Sequence, residues 1–207
     1  MSTSYTTRRP HQVISAGPDL DKDLADLLAY ALQEKAPYTA LVTDNIARRE
    51  DLPAYFVHML ETARTRRWLV CTFDDQAGIA LWAEHTAEEQ PGPGADPAPA
   101  LPDTPSAAAI AKFELAREAE RARVMAGREH VHLHTLCARF TIKGAPIESA
   151  LLAERVAALD LQGRPAYADP SREEHRSLLL AHGFHPAAAA EGAPGLIYPM
   201  VREPHGP

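Results

Sequence analysis

The sequence predicts a single α/β domain with a mixed central sheet flanked by helices. Apolar residues recur with a helical period near the start of the chain, strand-like apolar runs follow, and strand and helix patterns alternate in the second half. The alternating half predicts parallel strands joined by a right-handed helical crossover. With 207 residues, the chain is long enough for one sizeable core and too short for two independent ones.

Composition and charge narrow the function classes. Hydrophobic residues make up 45% of the chain and charged residues 24%, which is typical of a globular protein rather than a disordered one. The net charge of −7 disfavours nonspecific binding to nucleic acid or anionic membranes. Two cysteines do not make a disulfide scaffold. There is no secretory signal pattern and no apolar run of about 20 residues that spans a bilayer, so we expect a cytoplasmic protein.

Two helices are predicted before residue 68, after a flexible N-terminal segment of residues 1–18. Asp19 is the predicted N-cap of the first helix, and Pro37 stops it. One face of this helix carries apolar residues with a 3.6-residue period: Leu20, Leu24, Leu27, Leu28, Ala31 and Leu32. The second helix is predicted to begin near Pro53, because proline is tolerated in a first turn.

A hairpin and an insertion follow the helices. Two apolar runs, residues 68–73 and 79–83, are separated by turn residues and predict a β-hairpin. Residues 90–105 contain six prolines, which excludes a packed helix or strand there, and we interpret this stretch as a loop inserted within the domain. Ser106 is predicted to cap an additional long helix, rich in alanine and charge, that ends at Gly127.

Residues 130–139 predict a strand with a histidine-rich face. Alternation puts Val131, Leu133 and Thr135 on one face and His130, His132 and His134 on the other. Alternate histidines can ligate a metal or act as acid and base. Because the sequence offers no clustered acidic or cysteine partner nearby, a half-solvated histidine face is the simpler interpretation, and no metal site is predicted.

The remaining elements complete a domain of residues 19–204, with 205–207 as a tail. A helix is predicted at residues 147–161 and a short parallel strand at 164–169. Ser171 and Glu174 have capping-box spacing, which predicts a helix that starts there and ends at Gly183. Closing strands follow around Phe184, Leu196–Tyr198 and Met200–Val201.

Two segments resemble the GNAT N-acetyltransferases. Residues 131–140 resemble that family's central strand and read VHLHTLCARF. Residues 143–152 resemble the cofactor motif usually written QGxGIGSALL and read KGAPIESALL. Residues 164–167 and 171–184 resemble the next strand and a helix that ends in Gly-Phe. The chain is thus similar to a divergent GNAT member, and the resemblance implies a GNAT-like mixed sheet flanked by helices.

The resemblance also implies that acetyl-CoA or another acyl-CoA is bound. In such proteins, backbone N–H groups at the N-terminus of the helix hold the pyrophosphate, and a neighbouring strand binds the pantetheine arm. The matching cofactor-binding positions here are Leu136, Cys137, Arg139, Lys143, Gly144, Ala145 and Ile147. The chain departs from the motif at Pro146, which has no N–H, and at Glu148, whose charge opposes a phosphate. Leu179 stands where the family usually has a tyrosine that protonates the leaving thiolate.

Five residues are candidates for catalysis, each with a structural alternative. Glu84 is a candidate general base or a surface carboxylate, and Cys137 is a candidate nucleophile or a buried thiol. His134 is a candidate acid or base on the histidine face. Asp169 lies near the acceptor site that the resemblance implies, but it is also a candidate cap for the next helix. His175 is a candidate for the missing acid or an exposed histidine.

The function expected from these features is acyl transfer from acyl-CoA to an amine of a small molecule. One alternative is a GNAT fold turned to another acyl donor, such as a carrier-protein thioester or aminoacyl-tRNA, or to a lyase or cyclase reaction. The other alternative is a protein that binds a ligand or partner and catalyses no reaction. The sequence predicts a small-molecule partner and no nucleic acid or membrane partner, and it leaves a homodimer open.

Overall fold

The computed structural model describes residues 11–13, 18–66, 68–72, 77–86, 103–139, 144–190 and 195–205, with the backbone alone at 11–13, 18–20 and 144–146. Its strands are β1 (His11–Val13), β2 (Leu69–Thr72), β3 (Gly78–His85), β4 (His130–Ala138), β5 (Ala166–Ala168), β6 (His185–Pro186) and β7 (Met200–Arg202). Its helices are α1 (Pro18–Leu32), α2 (Tyr38–Leu41), α3 (Asn45–Thr65), α4 (Pro105–Met125), α5 (Gly144–Gln162) and α6 (Glu173–Ala181).

The strands form one mixed sheet in the order β1-β2-β3-β4-β5-β7-β6. The pair β4 and β5 is parallel, and α5 makes the crossover between them, whereas the other pairs are antiparallel. This confirms the predicted α/β class and the predicted parallel unit. At the far edge, β7 lies between β5 and β6 although it follows both in the chain. Arg202 in β7 makes two hydrogen bonds of 2.7 Å to Asp160, which fixes β7 against α5.

Helices cover both faces of the sheet. On one face, α5 packs against alternate residues of the central strands, and Trp82, Leu133 and Leu151 are buried there. On the other face, α1, α3 and α4 bury the intervening residues, including Leu81. The two faces alternate along β3 because successive strand side chains point to opposite sides. Each face therefore has its own hydrophobic core.

A β-bulge interrupts the pairing of β3 with β4. Leu81 pairs with Thr135 and Trp82 pairs with Leu133, so His134 is the extra residue on β4. The bulge puts His134 and Thr135 on the same face. Thr135 Oγ1 lies 3.9 Å from Met59 Sδ on α3. The prediction that Thr135 shares the face of Val131 and Leu133 was therefore wrong, because strict alternation does not allow for an inserted residue.

Several element boundaries differ from the predictions. The second predicted helix, α3, begins at Asn45 rather than near Pro53, because Asp44 Oδ1 accepts hydrogen bonds from two backbone N–H groups, 2.8 and 3.1 Å away. The cap of α4 is Thr104, whose hydroxyl accepts a bond from Ala107 N, rather than Ser106. The predicted capping box at Ser171 does not form, and α6 begins at Glu173 without a side-chain cap.

The predicted flexible N-terminal segment and the inserted loop are described only in part. Residues 11–13 form β1 and pair with β2, so this part of the predicted flexible segment is a strand. Of the proline-rich stretch, residues 90–102 lie outside the described residues. No helix in the described part of the chain is both long enough and apolar enough to cross a membrane.

Candidate functional site

A notch opens where β4 and β5 separate. The two strands pair only over Val131–Leu133 and Ala166–Ala168, and β4 continues from there to Ala138. The notch has a volume of about 80 Å³, and its lining includes Leu133, His134, Thr135, Leu136, Asp169 and His175. Parallel strands that separate in this way leave backbone groups of β4 available to a ligand.

A larger cavity of about 510 Å³ lies on the histidine face, between that face, α3 and α4. Tyr55, Met59, Trp68 and Leu115 give it apolar walls. Its polar lining consists of His58, Thr62, Arg66, His85, Glu114, Glu118, His132 and His134. Most of the surface of the cavity is nevertheless apolar, and a concave, mainly apolar chamber with polar groups in its wall is the usual form of a small-molecule site.

His134 connects the two spaces. Among the described residues, it alone lines both the notch and the cavity. Its Nε2 lies 3.3 Å from Glu114 Oε2, and its Nδ1 lies 3.1 Å from Thr135 Oγ1. The centre of its ring lies 4.8 Å from that of Trp68, with the two planes tilted by 40°. Because the Glu114 carboxylate accepts a hydrogen bond, it favours the tautomer with the proton on Nε2, which leaves Nδ1 as the proton acceptor.

A buried ionic chain supports this histidine. Arg117 donates to both oxygens of Asp169 at 2.9 and 2.6 Å, to Glu114 at 3.0 Å and to the backbone carbonyl of His134 at 3.0 Å. Burial acts to raise the pKa of Asp169, but Arg117 and His132 outweigh it and hold that pKa well below its usual value. For Glu114, Arg117 and His134 likewise outweigh burial and lower the pKa to about 2. Both carboxyl groups are therefore ionised at neutral pH.

Three further histidines form a cluster beside the cavity. The rings of His85 and His130 stack at 4.8 Å, and His85 lies 6.0 Å from His132. Burial lowers the pKa of His85 to about 3 and that of His130 to about 4, and burial also lowers the pKa of His132. The three rings are neutral at pH 7. Among the described residues, no group of three or more histidine, cysteine or carboxylate side chains could hold a metal ion.

Opposite β4, α6 contributes His175 to the notch. His175 Nε2 lies 3.2 Å from Glu148 Oε1, and Arg172 is hydrogen-bonded to the same ring. Glu148 is the residue that replaces a motif glycine. Its carboxylate is directed to α6, where it lies within hydrogen-bond distance of the His175 ring.

Of the five predicted catalytic residues, the structure brings His134, Asp169 and His175 together at the notch. Asp169 does not cap α6 but binds Arg117. Glu84 lies elsewhere, because alternation in β3 turns it to the opposite face from His85, where it pairs with Arg155 at 3.2 Å and Arg164 at 3.0 Å. The prediction of Glu84 as a site residue is not supported by this geometry.

Of the two interpretations of Cys137, a nucleophile or a buried thiol, the structure agrees with the buried thiol. Its side chain is 2% exposed and packs in the core of α1 and α3, and burial raises the pKa of its thiol far above the usual value. A thiol that stays protonated is a poor nucleophile. Its backbone still lies on the part of β4 that has separated from β5.

The predicted cofactor residues have different positions. Leu136 lines the notch, and Arg139 is exposed just after β4. The side chain of Ile147 is 2% exposed and packs in the core beside Gly78, so it is not part of the notch. Gly144 and Ala145 form the first turn of α5, and Lys143 lies outside the described residues.

Glu114, Arg117 and Thr135 are not among the site residues predicted from the sequence. A signal for the first two was present, because the predicted long helix repeats a Glu-x-x-Arg spacing at Glu114 and Arg117 and again at Glu118 and Arg121. Residues three apart lie on the same side of a helix. The sequence does not indicate that this charged side faces the histidine strand rather than solvent.

The fold has clear structural relatives. The structure of 'histone acetyltransferase HPA2 and related acetyltransferase' from Corynebacterium glutamicum superposes with a TM-score of 0.60 and 17% identity, over 96% of this chain and 98% of that one. Arylalkylamine N-acetyltransferase 2 from Aedes aegypti superposes with a TM-score of 0.56 and 9% identity, over 94% of this chain and 98% of that one. A mosquito arylalkylamine N-acetyltransferase like 5b superposes with a TM-score of 0.57 and 17% identity, over 94% of this chain and 99% of that one. No protein-family model and no curated protein sequence matches the chain. The chain has the fold of the GNAT N-acetyltransferases, as its sequence resemblance implied.

Proposed function

We propose that this protein is an N-acyltransferase that moves an acyl group from an acyl thioester to the amine of a small, largely apolar molecule. The observation that carries the proposal is the position of His134, which lines both the notch and the cavity. A group that accepts a proton from an amine must reach the place where that amine meets the acyl carbonyl. His134 is the described side chain with access to both spaces.

The described residues at the notch and at the start of α5 support acyl-CoA as the donor. The separated part of β4 offers the backbone of Leu136 beside the notch. The first turn of α5, from Gly144, has the unpaired backbone N–H groups that bind an anion at a helix N-terminus, with Pro146 as the one position that lacks this group. Arg139 adds a positive charge at the end of β4. Bound acyl-CoA would supply an activated acyl group in the form of its thioester. The GNAT fold of the chain supports this choice of donor.

The cavity supports an amine acceptor with an apolar body. Tyr55, Met59, Trp68 and Leu115 offer apolar contact area, while the carboxylates of Glu114 and Glu118 offer hydrogen-bond acceptors to the N–H groups of an amine. Two of the structural relatives are arylalkylamine N-acetyltransferase 2 and arylalkylamine N-acetyltransferase like 5b, and an arylalkylamine is an amine joined to an aromatic ring by an alkyl group. A cavity of about 510 Å³ is of the size that holds such a molecule.

The protein contributes proton transfer and charge stabilisation. His134 Nδ1 accepts the proton that the attacking amine loses, and the Glu114 carboxylate stabilises the imidazolium that results. Arg117 keeps Glu114 ionised and fixes the backbone at His134. On the other side of the notch, His175 is the proposed donor of a proton to the departing thiolate. It would take the role of the tyrosine that GNAT proteins usually have at the position of Leu179.

The test is an acetyl transfer assay with acetyl-CoA and 2-phenylethylamine, which follows thiol release and the acetylated amine. We expect turnover with the wild-type protein and a loss of kcat of about a hundredfold or more in the His134→Gln variant. The matched control is His185→Gln, because His185 is an exposed histidine on β6. Calorimetric titration with CoA tests the donor separately. No heat of binding from folded protein contradicts an acyl-CoA donor, and equal kcat in the two variants contradicts the role of His134.

A further inference from the structure

The bulge in β4 also brings a hydroxyl group to the base. Thr135 Oγ1 lies 3.1 Å from His134 Nδ1, and His134 Nε2 lies 3.3 Å from Glu114 Oε2. This order of hydroxyl, imidazole and carboxylate is the arrangement that activates a nucleophilic serine or threonine. It depends on β4 for two members and on α4 for the third.

Each member is in the state that the arrangement needs. Glu114 is ionised, since its pKa is lowered to about 2 although burial opposes this, and it therefore accepts the Nε2 proton. Nδ1 then presents its lone pair to the Thr135 hydroxyl. Thr135 lines the notch, so the hydroxyl is next to the space proposed for the acyl group. Arg172 lines the same notch and supplies a positive charge there.

We propose that Thr135 is an acyl-accepting nucleophile, so that the protein also hydrolyses activated acyl esters and thioesters when no amine is present. Thr135 Oγ attacks the acyl carbonyl carbon while His134 Nδ1 takes the hydroxyl proton. The bond from the carbonyl carbon to the leaving sulfur or oxygen breaks, and the leaving group takes the proton from His134. Water then attacks the acyl-threonine ester with His134 again as base, which releases the carboxylic acid and restores the hydroxyl.

This inference relies on His134 as a base but not on CoA. We therefore choose p-nitrophenyl acetate as the probe, because it carries an activated acetyl group and no nucleotide. The wild-type protein is mixed with the probe, and nitrophenol release is followed. Samples quenched in acid are digested, and the acetylated peptide is identified by tandem mass spectrometry. We expect acetyl on Thr135 and a rate of release well above that of the probe in buffer.

Variants test whether the Thr135 hydroxyl itself, rather than the residues around it, reacts with the probe. Thr135→Val keeps the branched shape but removes the nucleophile, and we expect it to lose the acetyl label and about a hundredfold in rate. Thr135→Ser restores a hydroxyl, and we expect it to keep both label and activity. Glu114→Gln should slow acylation, but the acetyl group should still be found on Thr135. Thr65→Val, at an exposed position on α3, controls for the loss of a threonine.

Two outcomes would overturn the inference: a wild-type rate in the Thr135→Val variant with native circular dichroism, or an acetyl group that maps to another residue such as a lysine or Ser171. Neither outcome bears on amine acetylation from acetyl-CoA, which is measured separately. Loss of amine acetylation together with intact labelling of Thr135 would contradict the proposed function and leave this inference standing.

Discussion

At the scale of single residues, the candidate site depends on charges that are buried together. Arg117 is 9% exposed and Asp169 is 4% exposed, and a lone ion at such depth is strongly disfavoured. The guanidinium of Arg117 binds both oxygens of Asp169 and also Glu114, so each charge has a close opposite partner. Removal of one member leaves the others buried without full compensation. The ionic chain is thus a structural requirement of the site as well as its source of charge.

We predict that Asp169→Asn lowers the free energy of unfolding by about 3 kcal/mol, because Arg117 then keeps only part of its partners. The measurement is urea unfolding at pH 7. The control is Glu173→Gln, which removes an exposed carboxylate paired with Arg176 at 3.4 Å and should change stability by less than about 0.5 kcal/mol. Equal effects of the two substitutions would contradict the prediction.

A second prediction concerns Glu148, which occupies the position of a motif glycine. We expect Glu148→Gln to bind CoA about fivefold more tightly, because a negative charge near a pyrophosphate costs about 1 kcal/mol. Calorimetric titration at low salt measures the change. Glu154→Gln removes an exposed charge from the same helix, α5, and serves as the control. Weaker binding by Glu148→Gln would show that its contact with His175 supports the ligand site.

At the scale of elements, the bulge in β4 decides which side chains meet. Without it, His134 and Thr135 would point to opposite faces, and no hydroxyl would lie beside the imidazole. The long helix α4 then brings Glu114 to His134 and Arg117 to Asp169. The site is therefore made by one irregularity in a strand and by one helix that crosses it.

The close approach of α5 to the sheet gives a prediction at this scale. A Cβ atom on Gly78 would lie 2.7 Å from Ile147 Cγ2 and 2.9 Å from the carbonyl oxygen of Cys137. We expect Gly78→Ala to lower the free energy of unfolding by about 1–3 kcal/mol, since the helix and strand must move apart. In contrast, Gly195→Ala adds a methyl group into open space and should leave the urea midpoint unchanged. An unchanged midpoint for both would contradict the described packing.

At the scale of the whole molecule, the histidine cluster makes stability depend on pH. His85 faces His130 and His132 on β4 and lies near Arg121 and Glu118 on α4, and its pKa is lowered from 6.5 to about 3. In the folded protein the three cluster histidines stay neutral at pH values at which the same residues bind protons in the unfolded chain. The contribution of the cluster to stability is therefore fully present above pH 6.5 and is lost as the pH decreases towards 4.

We predict that the wild-type protein loses about 1 kcal/mol per cluster histidine between pH 7 and pH 5, once solvent screening is allowed for. His85→Asn should lose less over the same interval, because it removes one proton-binding group from the unfolded chain. Urea unfolding at the two pH values gives the comparison, with His185→Asn as an exposed control. A pH dependence equal in all three proteins would contradict the role of the cluster.

Much of the fold could be predicted because it depends on local patterns. The apolar period of α1, the strand pattern of β4 and the helix that follows it are all readable along the chain. The start of α3 could not be placed, because Asp44 competes with the proline signal at Pro53. Three of five catalytic candidates reach the notch, whereas Glu84 and Cys137 do not, since strand alternation and burial decide which way a side chain points. Thr135 and Glu114 depend on a bulge and on helix packing, which are set by tertiary structure.

The position of β7 has a consequence for how the molecule assembles during synthesis. β7 is made after β5 and β6, yet it is the strand that joins them, and the Arg202 fork to Asp160 can form only then. A nascent chain can form the helices and the sheet up to β5 as they emerge, but β5 keeps an open edge until β7 arrives. Until β7 has been made, β5 is therefore the edge at which the nascent sheet is open to pairing with another chain.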